Sequence, residues 1–81
     1  MNIIMQECNQ YNEKGERHGY WEVYWDSSNL WYKGTYLNGV EDGYWERYWS
    51  DGTLWYKGKY KNGEMIGYWI INNEEYYYAT M

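Results

Sequence analysis

The strongest chemical pattern in this 81-residue chain is a set of rings beside lysines: Tyr24, Trp31, Tyr48 and Trp55, with Lys33, Lys57 and Lys59. Flat rings stack on a base, and ammonium groups neutralise phosphate, so the set is suited to a nucleotide-type anion. The same residue types also form hot spots between proteins, where Trp and Tyr are enriched. A third reading is plain cross-strand packing, in which the rings only stabilise a sheet.

Other candidates for chemistry are weaker. His18 has no visible nucleophile to serve and no group to orient it, and the equivalent repeat positions hold Asp42 and Ile66. It reads as a surface turn residue. Cys8 is the only cysteine, so neither an internal disulfide nor a cysteine-cluster zinc site is available. With no basic neighbour to activate it, Cys8 is expected as a small, buried or half-buried side chain. Glu22 and Glu46 resemble a carboxylate pair for hydrolysis, but lysines stand where hairpin pairing would bring them opposite, which favours ion pairs. Glu41, Asp42 and Asp51 are expected in turns, solvated, and without the pattern of a metal-binding loop. The glycines recur at hairpin spacing rather than before a helix, as a phosphate cradle requires. No catalytic residue, metal site or cofactor is expected.

The elements that position these side chains come from a repeat. Gly19-Tyr20-Trp21, Gly43-Tyr44-Trp45 and Gly67-Tyr68-Trp69 lie 24 residues apart, and Leu30–Gly34 matches Leu54–Gly58. Units of about 11–34, 35–58 and 59–81 make one repeat domain over 1–81. Each unit reads as a β-hairpin: aromatic and β-branched residues between Gly, Asn, Asp and Ser turns. The fold class is therefore all-β, an antiparallel meander of consecutive hairpins in a single twisted or curled sheet.

Two-residue turns at Ser27-Ser28 and Asp51-Gly52 would pair Trp25 with Leu30, Trp49 with Leu54, and Tyr48 with Trp55. They would also set Glu22 opposite Lys33 and Glu46 opposite Lys57. Trp21 would then cover Gly34, and Trp45 would cover Gly58. Asn72-Asn73 would turn the last hairpin, with Trp69 opposite Tyr76 and Tyr68 opposite Tyr77. Asn38-Gly39 and Asn62-Gly63 mark the connections, either tight or wide. Residues 3–8 are short for a strand but can add one.

Strand alternation sorts the side chains onto two faces. One carries Trp21, Val23, Trp25, Leu30, Tyr32, Tyr36, Trp45, Trp49, Leu54, Tyr56, Tyr60, Trp69 and Ile71, interrupted by Arg47. The other carries Tyr20, Glu22, Tyr24, Trp31, Lys33, Tyr44, Glu46, Tyr48, Trp55, Lys57, Lys59, Tyr68 and Ile70. The first face must be dry, and no segment with helical periodicity is available to cover it. Either the sheet curls until its own rings fill the concave side, or two chains pack face to face. A homodimer is the favoured expectation, with the curled monomer second.

Composition limits the partners. Seven Trp and 13 Tyr, without Phe or Pro, give a quarter of the chain aromatic rings that combine apolar area with a polar edge. A net charge of −5 argues against double-stranded nucleic acid and anionic membrane. The start, "MNIIMQEC", does not read as a signal segment, and a lone cysteine fits a reducing compartment, so a cytoplasmic location is expected.

The phrase Tyr36-Leu37-Asn38-Gly39 to Gly43-Tyr44-Trp45, continued through Tyr48, Asp51, Gly52 and Gly58, resembles the MORN-repeat variant family. It is especially similar to the bacterial repeat proteins labelled antitoxin-like. The phrase recurs at Tyr60–Gly63 to Gly67–Trp69; the earliest copy departs, with Tyr11–Gly15 and with Ser27-Ser28 in place of Asp51-Gly52. The resemblance covers residues 11–71. It implies stacked hairpins and a protein-binding role, and it brings no catalytic residue. Residues and resemblance together lead to a non-enzymatic binder that engages or inhibits another protein through an aromatic sheet face. The rivals are a dimer that sequesters a small anion such as a nucleotide, and a scaffold that assembles through sheet edges.

Overall fold

The computed structural model describes residues 8–79. Strands β1 (Gln10–Tyr11), β2 (Arg17–Tyr24), β3 (Leu30–Leu37), β4 (Val40–Tyr48), β5 (Leu54–Lys61), β6 (Glu64–Ile71) and β7 (Glu74–Tyr78) form one sheet. Each strand pairs antiparallel with the next in the chain, giving an open meander. The strand expected over 3–8 lies outside the described residues except for Cys8, which is in no strand and is exposed rather than buried. Cys8 precedes the sheet's edge strand, where no second layer covers it.

The connections between hairpins are tight. Leu37 pairs with Val40 and Lys61 with Glu64, so Asn38-Gly39 and Asn62-Gly63 are two-residue turns. Their φ angles are 48° and 87° in the first, 51° and 82° in the second. Two positive φ values in sequence give a turn whose twist matches the flanking strands, and Asn and Gly tolerate it best. Asn72-Asn73 turns β6 into β7 in the same way, and Trp69 meets Tyr76 and Tyr68 meets Tyr77 as expected.

The opposite ends of the hairpins differ from expectation. Ser28 and Gly52 donate N–H to the carbonyls of Trp25 and Trp49, whose own N–H groups bond Asn29 O and Thr53 O. These are three-residue loops closed by a residue at positive φ, 75° at Ser28 and 92° at Gly52, not two-residue turns. A bulge follows. Tyr24 pairs with Leu30 and Tyr48 with Leu54, so Trp31 and Trp55 are left over before Val23 meets Tyr32 and Arg47 meets Tyr56. Trp25 and Trp49 therefore do not face leucines, and Tyr48 does not face Trp55. Beyond the bulge the expected pairs hold: Glu22 with Lys33, Trp21 with Gly34, Glu46 with Lys57, Trp45 with Gly58.

The displaced tryptophans find new partners. Trp31 stacks on Trp25 with ring centroids 4.2 Å apart, and Trp55 stacks on Trp49 at 4.1 Å. Trp31 also packs against the core cluster of Trp21, Tyr32, Tyr36 and Trp45. The bulge has thus carried Trp31 and Trp55 from the expected binding face to the core side. Arg47 is accommodated there as well, with its guanidinium over the rings of Tyr32 (5.1 Å), Trp55 (5.7 Å) and Tyr56 (5.8 Å).

The core forms within a single chain. Trp45 and Trp69 are only 1% exposed, and Trp21, Tyr32 and Tyr36 are buried with them. The rings that lie over the strand glycines belong to the following hairpin. A Cβ on Gly34 would come 2.1 Å from Trp45 Cδ2, and one on Gly58 would come 2.1 Å from Trp69 Cδ2. Each tryptophan crosses a hairpin boundary and lies on bare backbone, which ties successive units together. The pairing shifts at these boundaries, between Lys33 and Thr35 and between Lys57 and Lys59. Such irregularities increase twist and bend a sheet. Rings of the same chain cover Trp21, Trp45 and Trp69, while Leu37, Val40 and Trp49 stay exposed. The radius of gyration is 14.3 Å, above the ~12 Å of a compact domain of this length, as an elongated stack requires.

Boundary turns are also braced by side chains. His18 lies in β2 rather than in a turn, and its Nδ1 accepts the Asn38 N–H at 3.0 Å. Asp42, one repeat later, lies in β4 and accepts the Asn62 N–H at 3.1 Å. The Gly39 and Gly63 N–H groups bond the carbonyls of Arg17 and Glu41. An imidazole and a carboxylate thus do the same work, because either offers an acceptor at that point.

Candidate binding face

With the tryptophans packed on the core side, the opposite face keeps tyrosines and charges. Glu22, Lys33, Glu46, Lys57, Ile70 and Glu75 are successive in-register partners across β2 to β7. They form one row perpendicular to the strands, because partners in an antiparallel sheet point to the same side.

Tyrosines hold the glutamates of the row. Residues two apart on a strand share a face, so Tyr20 and Tyr24 flank Glu22, and Tyr44 and Tyr48 flank Glu46. The Tyr24 and Tyr20 hydroxyls donate to Glu22 at 2.6 and 2.7 Å. These bonds, opposed by slight burial and helped by Lys33, hold the Glu22 carboxyl below its ordinary range. At Glu46 burial pushes upward, but the Tyr48 and Tyr44 hydroxyls and Lys33 outweigh it, and the carboxyl again lies low. The bond to Glu46 and burial together push the Tyr48 phenol up to about 12.

The ion pairing crosses hairpins instead of staying within them. Lys33 Nζ lies 3.6 Å from Glu46 Oε1, and this is the salt bridge found among the described residues. Glu22 and Glu46 are register partners of Lys33 and Lys57, yet neither expected pair closes. Tyrosine hydroxyls already hold Glu22, and Lys33 reaches Glu46 across the β3–β4 boundary first.

The seven residues expected at the site therefore separate. Tyr24, Lys33, Tyr48, Lys57 and Lys59 stand on the face or in its row, while Trp31 and Trp55 pack on the core side. The aromatic strip is instead made of tyrosines: Tyr24 is 54% exposed, Tyr44 51%, Tyr68 80% and Tyr77 61%. Tyr68 and Tyr77 lie against each other with centroids 4.7 Å apart. Strand alternation places Tyr20, Tyr44 and Tyr68 on this face from the sequence; reading the loops as two-residue turns adds Trp31 and Trp55 to it, which the bulges carry to the core side.

A shallow cleft of about 210 Å³ opens on this face near β7, lined by Tyr44, Lys57, Gly58, Tyr68, Trp69, Ile70 and Glu75. This is below the ~300–1,000 Å³ of small-molecule pockets. Among the described residues no group of three or more His, Cys, Asp or Glu side chains is placed to hold a metal ion. No helix of the described chain is long and apolar enough to cross a membrane. Compared with protein-family models, with curated proteins and with solved structures, the chain matches none.

Proposed function

We propose that this protein is a non-enzymatic module that binds another protein through the tyrosine face of its sheet. The observation that carries the reading is the set of half-exposed or more exposed rings of Tyr24, Tyr44, Tyr68 and Tyr77 on the side the core does not use. Tyrosine supplies wide, rigid contact area at low conformational cost, with a hydroxyl to fix orientation. A sheet held by tryptophans across every hairpin boundary presents those rings with little reorganisation on binding. The resemblance of the repeat phrase to MORN-type, antitoxin-like proteins agrees with a protein partner, and an inhibitory role fits a small module of this kind. A free nucleotide is a weaker reading: Lys57 is at the cleft, but Glu75 lines it too, and the chain carries a net charge of −5.

The test is affinity capture from the native lysate with wild type and with a Tyr24→Ser, Tyr44→Ser, Tyr68→Ser variant. These side chains are exposed, so the variant should keep its circular dichroism spectrum. Wild type should retain a stoichiometric protein that the variant loses. Equal capture by both, or no stoichiometric partner for wild type, would reject the reading.

A further inference from the structure

The charge row changes at its last hairpin. Glu22 and Glu46 are followed, one repeat on, by Ile70, and the row ends in Glu75 on β7. Three features of the molecule follow from that one replacement. Lys57 has Glu46 on one side, already bonded to Lys33, and Ile70 on the other, and makes no salt bridge among the described residues. Tyr68 has no carboxylate two residues along its strand. Tyr20 is held by Glu22 and Tyr44 lies two residues from Glu46 on the same face, but Tyr68 stands 80% exposed. The cleft opens at the same point, and Tyr44, Lys57, Tyr68 and Ile70 are among the residues that line it.

We propose that this cleft is a socket for one carboxylate side chain, a Glu or Asp of the protein partner. The partner's carboxylate takes the place that Glu46 fills one repeat earlier. In that earlier repeat Lys33 on the preceding strand and the Tyr48 hydroxyl on the same strand hold the carboxylate, with Tyr44 beside it on the same face. In the last repeat Lys57 and Tyr68 stand where Lys33 and Tyr44 stand one repeat earlier, and Asn72 replaces Tyr48, so the lysine and one tyrosine recur without a carboxylate of their own between them. Charge-assisted bonds from ammonium and phenol to carboxylate are short and strong, and here their donors are already positioned by the sheet. Ile70 leaves room for the incoming side chain and gives its methylenes an apolar contact. Glu75, the strand partner of Ile70, faces the same cleft. It sets a limit on charge, so a single carboxylate is admitted and a phosphate dianion is disfavoured. This inference rests on the reading that the face binds protein, and it names what the partner presents.

The test uses the isolated protein, so its result is independent of the lysate capture. Blocked glutamate (N-acetyl-glutamate amide) is titrated into labelled protein and followed by nuclear magnetic resonance, alongside blocked glutamine and inorganic phosphate. Blocked glutamate should shift Lys57, Tyr68 and Ile70 signals at millimolar concentration, at least tenfold more tightly than blocked glutamine or phosphate. Lys57→Gln should weaken it at least tenfold, Ile70→Glu should abolish it by filling the socket from within, and Glu75→Gln should tighten it severalfold. A thermal melt of Ile70→Glu unchanged or raised confirms that the socket is filled rather than the fold lost. Equal shifts with glutamine, tighter binding of phosphate, shifts mapping elsewhere, a lowered melt of Ile70→Glu, or weakening by Glu75→Gln would each overturn the proposal.

Discussion

Single side chains in this sheet work through what stands two residues away. Glu46 sits between Tyr44 and Tyr48, and its carboxyl is held below the ordinary value of 4.5 by hydroxyls and by Lys33 against the opposing push of burial. A carboxyl lowered on folding adds stability above its unfolded value, and that stability is lost as pH falls through the folded one. The Tyr48 phenol, raised from 10.0 to about 12, adds stability at neutral pH that is lost as pH rises from 10.0 to about 12. Both effects meet in one hydrogen bond of 2.7 Å. Glu46→Gln should therefore weaken the fold at neutral pH and flatten stability on both sides. Less should be lost below pH 4.5, and less between pH 10 and 12, in urea titrations of the two proteins. Parallel curves for wild type and variant across both ranges would contradict the clamp.

At the scale of elements, the decisive contact is a ring lying on a strand with no side chain. Gly34 and Gly58 are buried, and any Cβ there would enter the Trp45 or Trp69 ring. The listener to this constraint is the boundary between hairpins, since each ring comes from the next unit. Forcing a methyl into a filled site costs about 1–3 kcal/mol, and more where the obstructing group cannot move. Trp45 cannot move easily: it is 1% exposed, and its Nε1 donates to Thr35 O at 3.0 Å. Gly58→Ala should cost about 2–4 kcal/mol in denaturant unfolding, with Trp69 fluorescence shifting toward that of a solvated indole. Gly52→Ala, at an exposed loop, should leave that fluorescence in place although its φ of 92° makes it strained too. A tolerated alanine at Gly58 would mean the rings do not hold the units together.

For the whole molecule, the question raised by the composition is where so many tryptophans can hide. A flat meander would need a second chain. In this sheet Trp21, Trp45 and Trp69 are buried against rings of their own chain. The side that stays wet carries tyrosines and alternating charge, which water solvates well. The expected mass in sedimentation equilibrium at micromolar concentration is therefore that of the 10.1 kDa chain. A dimer at those concentrations would show that the remaining apolar exposure, at Leu37, Val40 and Trp49 for instance, is covered by a second copy after all.

The hairpins, their order and the pairing of Glu22 with Lys33 or Trp45 with Gly58 were legible in the 24-residue period, because turn residues and alternation act locally. So was the terminal hairpin around Asn72-Asn73, whose two-residue turn admits one register. The loops after Trp25 and Trp49 were not legible, since Ser27-Ser28 and Asp51-Gly52 serve a two- or a three-residue loop alike. That single-residue difference moved Trp31 and Trp55 to the core side. Which lysine reaches Glu46, and which tryptophan lies over Gly34, also waited for the tertiary structure. Both are contacts between hairpins, decided by how side chains of neighbouring strands pack rather than by any one strand.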